Sequence, residues 1–205
     1  RSLGTAGRGT LAVASASAAV FYQFGLLGFH NANTARAAQG REPIPVLVSN
    51  SLLIAAVVGL ISALVLVLIR DFLYDPMVMT FYIMILVMIA VPIYVAQQLL
   101  QSILLGQERV KVTNHIEIAI RLIQIGVVLA FLILGWITPL VVLAVGIGVA
   151  LLSTILCIRA ALQGAGSLRW PDPGLIGSMA TFGFKAYITA LLGYFVFRSD
   201  ILMLA

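Results

Sequence analysis

Charge is what this sequence has least of. Lys and Arg number 12 and Asp and Glu 7 in 205 residues, so 9% of the chain is charged, against about 25% in an ordinary soluble domain. No stretch interleaves Lys or Arg with aromatics in a basic arm, which excludes nucleic acid as an expected partner. Cysteine is nearly absent: the single Cys157 leaves no disulfide framework and no thiolate metal site. Lying in an apolar run, it reads as a small buried thiol. The two histidines, His30 and His115, have no second ligand at metal spacing. No signal peptide is expected ahead of the first apolar run.

What fills the chain instead is apolar: 62% of the residues are hydrophobic and the mean hydropathy is +1.13. The apolar residues fall in runs of about 20, the length that crosses a bilayer core as a helix. The fold class expected is all-α, a polytopic transmembrane helix bundle. After a Gly-rich opening loop, RSLGTAGRGT, the spans run over about 11–29, 46–69, 77–100, 116–134 and 140–158, with a last one beginning near Gly174 or Phe182. Pro92 loosens the third. Six crossings result, the last incomplete. Arg1 stands where Met would open a chain, and the sequence stops inside Ile201-Leu-Met-Leu-Ala205. A segment of a longer polytopic protein is therefore expected.

Loop charges set the orientation. Arg36, Arg41, Arg109, Lys111, Arg159 and Arg169 sit in loops at about 30–45, 105–115 and 159–173, whereas the alternating loops hold only Arg70. The excess of Lys and Arg places the first set in the cytoplasm. Arg1 and Arg8 run against this assignment.

The most informative stretch is QERVKVTNHIEIAIRLIQ, Gln107 to Gln124. At ~100° per residue, Gln107, Lys111, Asn114, Glu117, Arg121 and Gln124 share an arc of roughly 140°. A polar stripe on a membrane helix faces protein or water, because hydrocarbon leaves it unsatisfied. It is read as the border of an internal path for a polar, anionic cargo, with Arg121 as the cation. The alternative is that Arg121 snorkels to the head groups with Glu117 as its ion-pair partner four residues back. Gln97, Gln98 and Gln101, with Tyr94, make a second polar patch, either interhelical glue or sugar contacts. Asn31 and Asn33 read as caps of the first span and Lys185 as a snorkelling anchor. Arg198 and Asp200 read as charges near a helix end that find partners on other helices, with Asp200 the candidate site for a coupling ion. Asn31, Lys185 and Arg198 join Glu117, Asn114, Arg121, Gln124, Gln97 and Gln101 as candidate substrate contacts.

Four local patterns resemble those of bacterial oligosaccharide flippases in the multidrug/oligosaccharidyl-lipid/polysaccharide exporter superfamily. Leu3-Gly-Thr-Ala-Gly-Arg-Gly9 resembles the loop after that family's first helix, with Gly-Thr-Ala-Gly where a Pro-Glu pair is common. Gly25-Leu-Leu-Gly28 with Asn31 and Asn33 resembles the end of its second helix. Leu104-Leu-Gly-Gln-Glu-Arg109 with Asn114 resembles its loop between helices four and five. Phe182-Gly-Phe-Lys-Ala-Tyr187, followed by Phe197-Arg-Ser-Asp200, resembles the opening of helix seven.

The resemblance implies a fragment covering helices two to seven of a 12–14-helix, MATE-like transporter in a bacterial inner membrane. Residues 1–165 would belong to the first lobe, lacking its first helix, and 166–205 to the inter-lobe loop and the start of the second. It implies a polyprenyl-diphosphate-linked oligosaccharide as cargo, moved outward by alternating access, with polysaccharide assembly enzymes as partners. No cofactor is implied beyond H+ or Na+ as the coupling ion some members use. Two other readings stand beside it. A cation-coupled drug exporter of the same fold would want carboxylates in its cavity. A membrane-embedded glycan polymerase or glycosyltransferase would want a sizeable outer loop with catalytic side chains, and the outer loops here are short, so an enzyme is not expected.

Overall fold

The computed structural model describes the backbone of residues 4–73 and 80–203, and side chains over 4–69 (Ala6 aside) and 80–189. Within it the chain forms helices and no strand: α1 Gly4–Leu26, α2 Phe29–Gln39, α3 Ile44–Leu73, α4 Phe81–Gly106, α5 Val110–Ile133, α6 Pro139–Leu162 and α7 Pro173–Met203. Five helices are long and apolar enough to cross a membrane, the windows being Gly7–Leu26, Ile44–Ile69, Phe81–Gly106, Val110–Ile133 and Pro139–Leu162. The sixth expected crossing falls on α7, whose side chains from 190 on lie outside the described residues. So do Arg198, Asp200 and the side chains of the outer loop at 70–76.

The helix ends follow local chemistry. The α5–α6 turn closes as a Schellman motif: Gly135 takes φ +73°, Trp136 N–H reaches the Phe131 carbonyl at 3.0 Å, and Gly135 N–H reaches that of Leu132 at 3.2 Å. Two residues on, the Thr138 hydroxyl accepts from Val141 N–H at 3.2 Å and Pro139 occupies the first helical position, so α6 starts on a cap and a residue that needs no donor. The start of α7 repeats the device. Asp172 Oδ1 accepts from Gly174 N–H at 2.9 Å and from Leu175 N–H at 3.3 Å, ahead of Pro173. Asn50 of α3 holds that cap in place, accepting from Asp172 N–H at 2.8 Å.

Three boundaries differ from the sequence reading. The Gly-rich opening is already helical from Gly4, and α5 begins at Val110 rather than near Ile116. Helix propensity is a weak prior that packing overrides. The third difference is larger: much of the stretch taken as a loop from His30 is the helix α2. The chain breaks only at Leu27 (φ 40°) and Gly28 (φ 79°) and then resumes, with Asn31 N–H bonding the Gly28 carbonyl at 3.0 Å. Polar residues and Arg36 made α2 look like a connection, but its buried side, Phe29, Ala32, Asn33 and Ala37, packs on the end of α4.

Helix α4 lies at the centre, against α1, α2, α3, α5 and α6, while α7 packs on α2. The core has two centres. One gathers Leu47, Val48, Val95, Leu99, Leu100 and Ile103 around the second half of α4; the other gathers Ala14, Ala18, Ile83, Met84, Val87 and Ala90 around its first half. Gly59 of α3 lets that helix pass the ring of Pro92, since an added Cβ would sit 2.5 Å from the proline Cβ. The outside is greasy. Ile118, Leu122, Ile125 and Leu129 run down one side of α5, all exposed, an apolar surface that suits lipid and not water.

Candidate functional site

The opposite side of α5 borders a cavity of about 410 Å³, within the roughly 300–1,000 Å³ usual for ligand sites. Four helices wall it, each with residues at helical spacing. Helix α5 contributes Glu117, Ile120, Arg121 and Gln124, which recur at i, i+3, i+4 and i+7. Helix α1 brings Ser15, Ala18, Ala19 and Tyr22 in the same register. From α4 come Leu86, Val87, Ala90, Tyr94, Gln97, Gln98 and Gln101, and from α6 Leu143, Gly146, Ile147, Val149 and Ala150. The polar groups of α4 collect toward its C-terminal end, where three glutamines fill a little over one turn. Its N-terminal end supplies the apolar wall. The cavity is amphipathic along its length.

Within it the polar side chains are unequally committed. Gln97 is tied down, its Nε2 donating to Ser153 Oγ of α6 at 3.1 Å; this is the interhelical glue the sequence allowed. Gln98 and Gln101 have no hydrogen-bond partner among the described residues, although Gln101 is only 7% exposed. Arg121 does not pair with Glu117. Its guanidinium donates instead to Gln124 Oε1 at 3.3 Å, three residues further along the same helix, and both side chains line the cavity together with Tyr94. Among the described residues Glu117, one turn nearer the start of α5, has no ion-pair or hydrogen-bond partner, and the ion pair among them is Arg36–Glu42 at 3.4 Å.

The structure brings together five of the candidate residues, Glu117, Arg121, Gln124, Gln97 and Gln101, around one space. Others lie elsewhere. Asn114 and Lys111 are exposed on the first turns of α5, outside the cavity lining. Asn33 caps nothing: it is 0% exposed, donating to Ser51 Oγ at 2.8 Å and to the Leu99 carbonyl at 3.0 Å, and so it ties α2 to α3 and α4. Asn31 lies on the same helix, and Lys185 lies exposed on α7; neither reaches the cavity lining. Sequence reasoning missed Ser15 and Tyr22. Their spacing to Ala18 and Ala19 is visible in the chain, but only the packing of α1 beside α4 turns that side inward.

A second polar region joins the elements at the basic end of the bundle. Arg109 donates to the carbonyls of Ala160 at 2.6 Å and Gln163 at 3.2 Å, capping the end of α6 with a cation, as the helix dipole favours. Arg36 donates to Ser178 Oγ at 3.0 Å, and Ser49 Oγ to the Arg169 carbonyl at 2.5 Å. These bonds satisfy groups of the fold itself and leave little for a ligand. No family model, curated protein or solved structure matches this chain.

Proposed function

We propose that this chain is part of a transporter that carries an amphipathic, polar-headed cargo across a membrane, an oligosaccharide flippase of the kind its local patterns resemble. The observation that carries the reading is the cavity side of α5: Glu117, Arg121 and Gln124 border the partly open cavity between four helices, while the apolar side of the same helix points away from it. An Arg within a membrane-crossing helix costs about 2.5–3.5 kcal/mol near its centre. A place beside this cavity, next to Gln124 and Tyr94, offsets that cost.

On this reading Arg121 receives the anionic part of the cargo, and Gln124 holds the guanidinium where it can do so. Gln98 and Gln101 offer donors and acceptors to hydroxyl groups, and the apolar wall accommodates the greasy part. Alternating access in a bacterial inner membrane, a second lobe and assembly enzymes as partners belong to the same proposal. The test is Arg121→Ala in the full-length protein. It should reduce export of lipid-linked glycan at least 10-fold, as loss of a charged hydrogen bond of about 1.5–3 kcal/mol would, while membrane insertion and amount stay unchanged. Export at the normal rate in cells depending on that variant would refute the assignment.

A further inference from the structure

The two charges in the cavity are arranged for a ligand that carries both signs. Glu117 and Arg121 stand four residues apart, the acid first, which is the favoured order for a helical ion pair. They nevertheless remain separate: Arg121 bonds Gln124 Oε1 at 3.3 Å, while Glu117 lines the same cavity with no hydrogen-bond or ion-pair partner among the described residues. Paired, the two would neutralise each other and leave a wall with nothing to attract an ion. Apart, they make two opposite poles about 6 Å apart along the helix axis. Among the described residues lining the cavity no other is Asp, Glu, Lys, Arg or His, so the described walls carry one charge of each sign. A purely anionic head group would gain at Arg121 and lose at Glu117.

We propose that the cavity binds a head group bearing an anionic group and an amine together, the anion against Arg121 and the amine against Glu117. The unpartnered amides of Gln98 and Gln101 would hold the hydroxyls between them. This rests on the transport reading and narrows its cargo to zwitterionic heads. Two sources share that chemistry: a lipid-linked amino sugar and the phosphoethanolamine head of a membrane lipid.

The experiment uses the full-length protein in proteoliposomes with three labelled probes: polyprenyl-diphosphate glucosamine, its N-acetylated form, and phosphatidylethanolamine. Wild type should translocate the glucosamine probe about 10-fold faster than the acetylated one. Glu117→Gln should abolish that preference by slowing the amine-bearing probe alone, Glu117→Asp should restore part of it, and Arg121→Gln should slow both sugars. If phosphatidylethanolamine alone moves in a Glu117-dependent manner, the site holds and its source is the membrane lipid. Equal rates for the free and acetylated sugars, unchanged in Glu117→Gln, overturn the zwitterion inference and leave the transport reading standing. Failure of folded wild-type protein to move any probe overturns both.

Discussion

Single residues in this protein are legible to different degrees. Arg121 stands out in the sequence because a guanidinium in an apolar run must find water, protein or head groups. Its partner could not be read, because both Glu117 and Gln124 lie within reach on the same side of the helix, and the geometry chose Gln124. Gly28 shows the reverse case. From the sequence it falls inside the first expected span, at 11–29, whereas here it permits a left-handed break (φ 79°) and a backbone contact with Gly183 of α7, where an added Cβ would overlap the carbonyl oxygen. Gly28→Ala should therefore destabilise the fold by roughly 2–4 kcal/mol, combining left-handed strain with overlap. Thermal unfolding in detergent reads this directly. A change within about 0.5 kcal/mol, the range of neutral surface substitutions, would remove the contact from the argument.

At the scale of the element, α5 is the clearest case of pattern becoming structure. Its 3.6-residue periodicity separates two sides in the sequence, and the structure keeps them separate: Glu117, Arg121 and Gln124 toward the cavity, Ile118 (61% exposed) and Leu122 (64% exposed) away from it. With Cys157 fully buried, introduced thiols can be read one at a time. Gln124→Cys should react with a membrane-impermeant, water-soluble thiol reagent, and Leu122→Cys and Ile118→Cys should stay protected by lipid. Equal labelling at all three positions would remove the water-facing side. Helix α2 was the element hardest to read, since its eleven residues are mostly polar or alanine and too few to form a membrane-crossing run. It forms because α4 and α7 offer surfaces for Phe29, Ala32 and Ala37, and Asn33 is drawn in with them by its two interhelical hydrogen bonds.

For the whole molecule, charge gives an expected orientation and does not give the packing. Residues 36–43, 107–111 and 159–172 meet at one end, joined by Arg109 to α6, Arg36 to α7 and Ser49 to the α6–α7 connection, and the Lys and Arg residues concentrate there. With that end cytoplasmic, an impermeant thiol reagent added to intact cells should label Trp136→Cys, at the exposed α5–α6 turn, and not Gln163→Cys at the opposite end; the inverse pattern would reverse the topology. By itself the sequence determined that the chain is helical and membrane-crossing, where the long helices fall, and which side of α5 is polar. Run length, local periodicity and the cost of burying charge in hydrocarbon act within single segments, and these can be read along a chain. Only the tertiary structure decided that α4 stands at the centre, that α1 and α6 complete a cavity around Tyr22, Tyr94 and the glutamines, and that Asn31 and Lys185 lie away from it. Those outcomes depend on which helix surfaces touch, and close packing between distant segments leaves no periodic trace in either one alone.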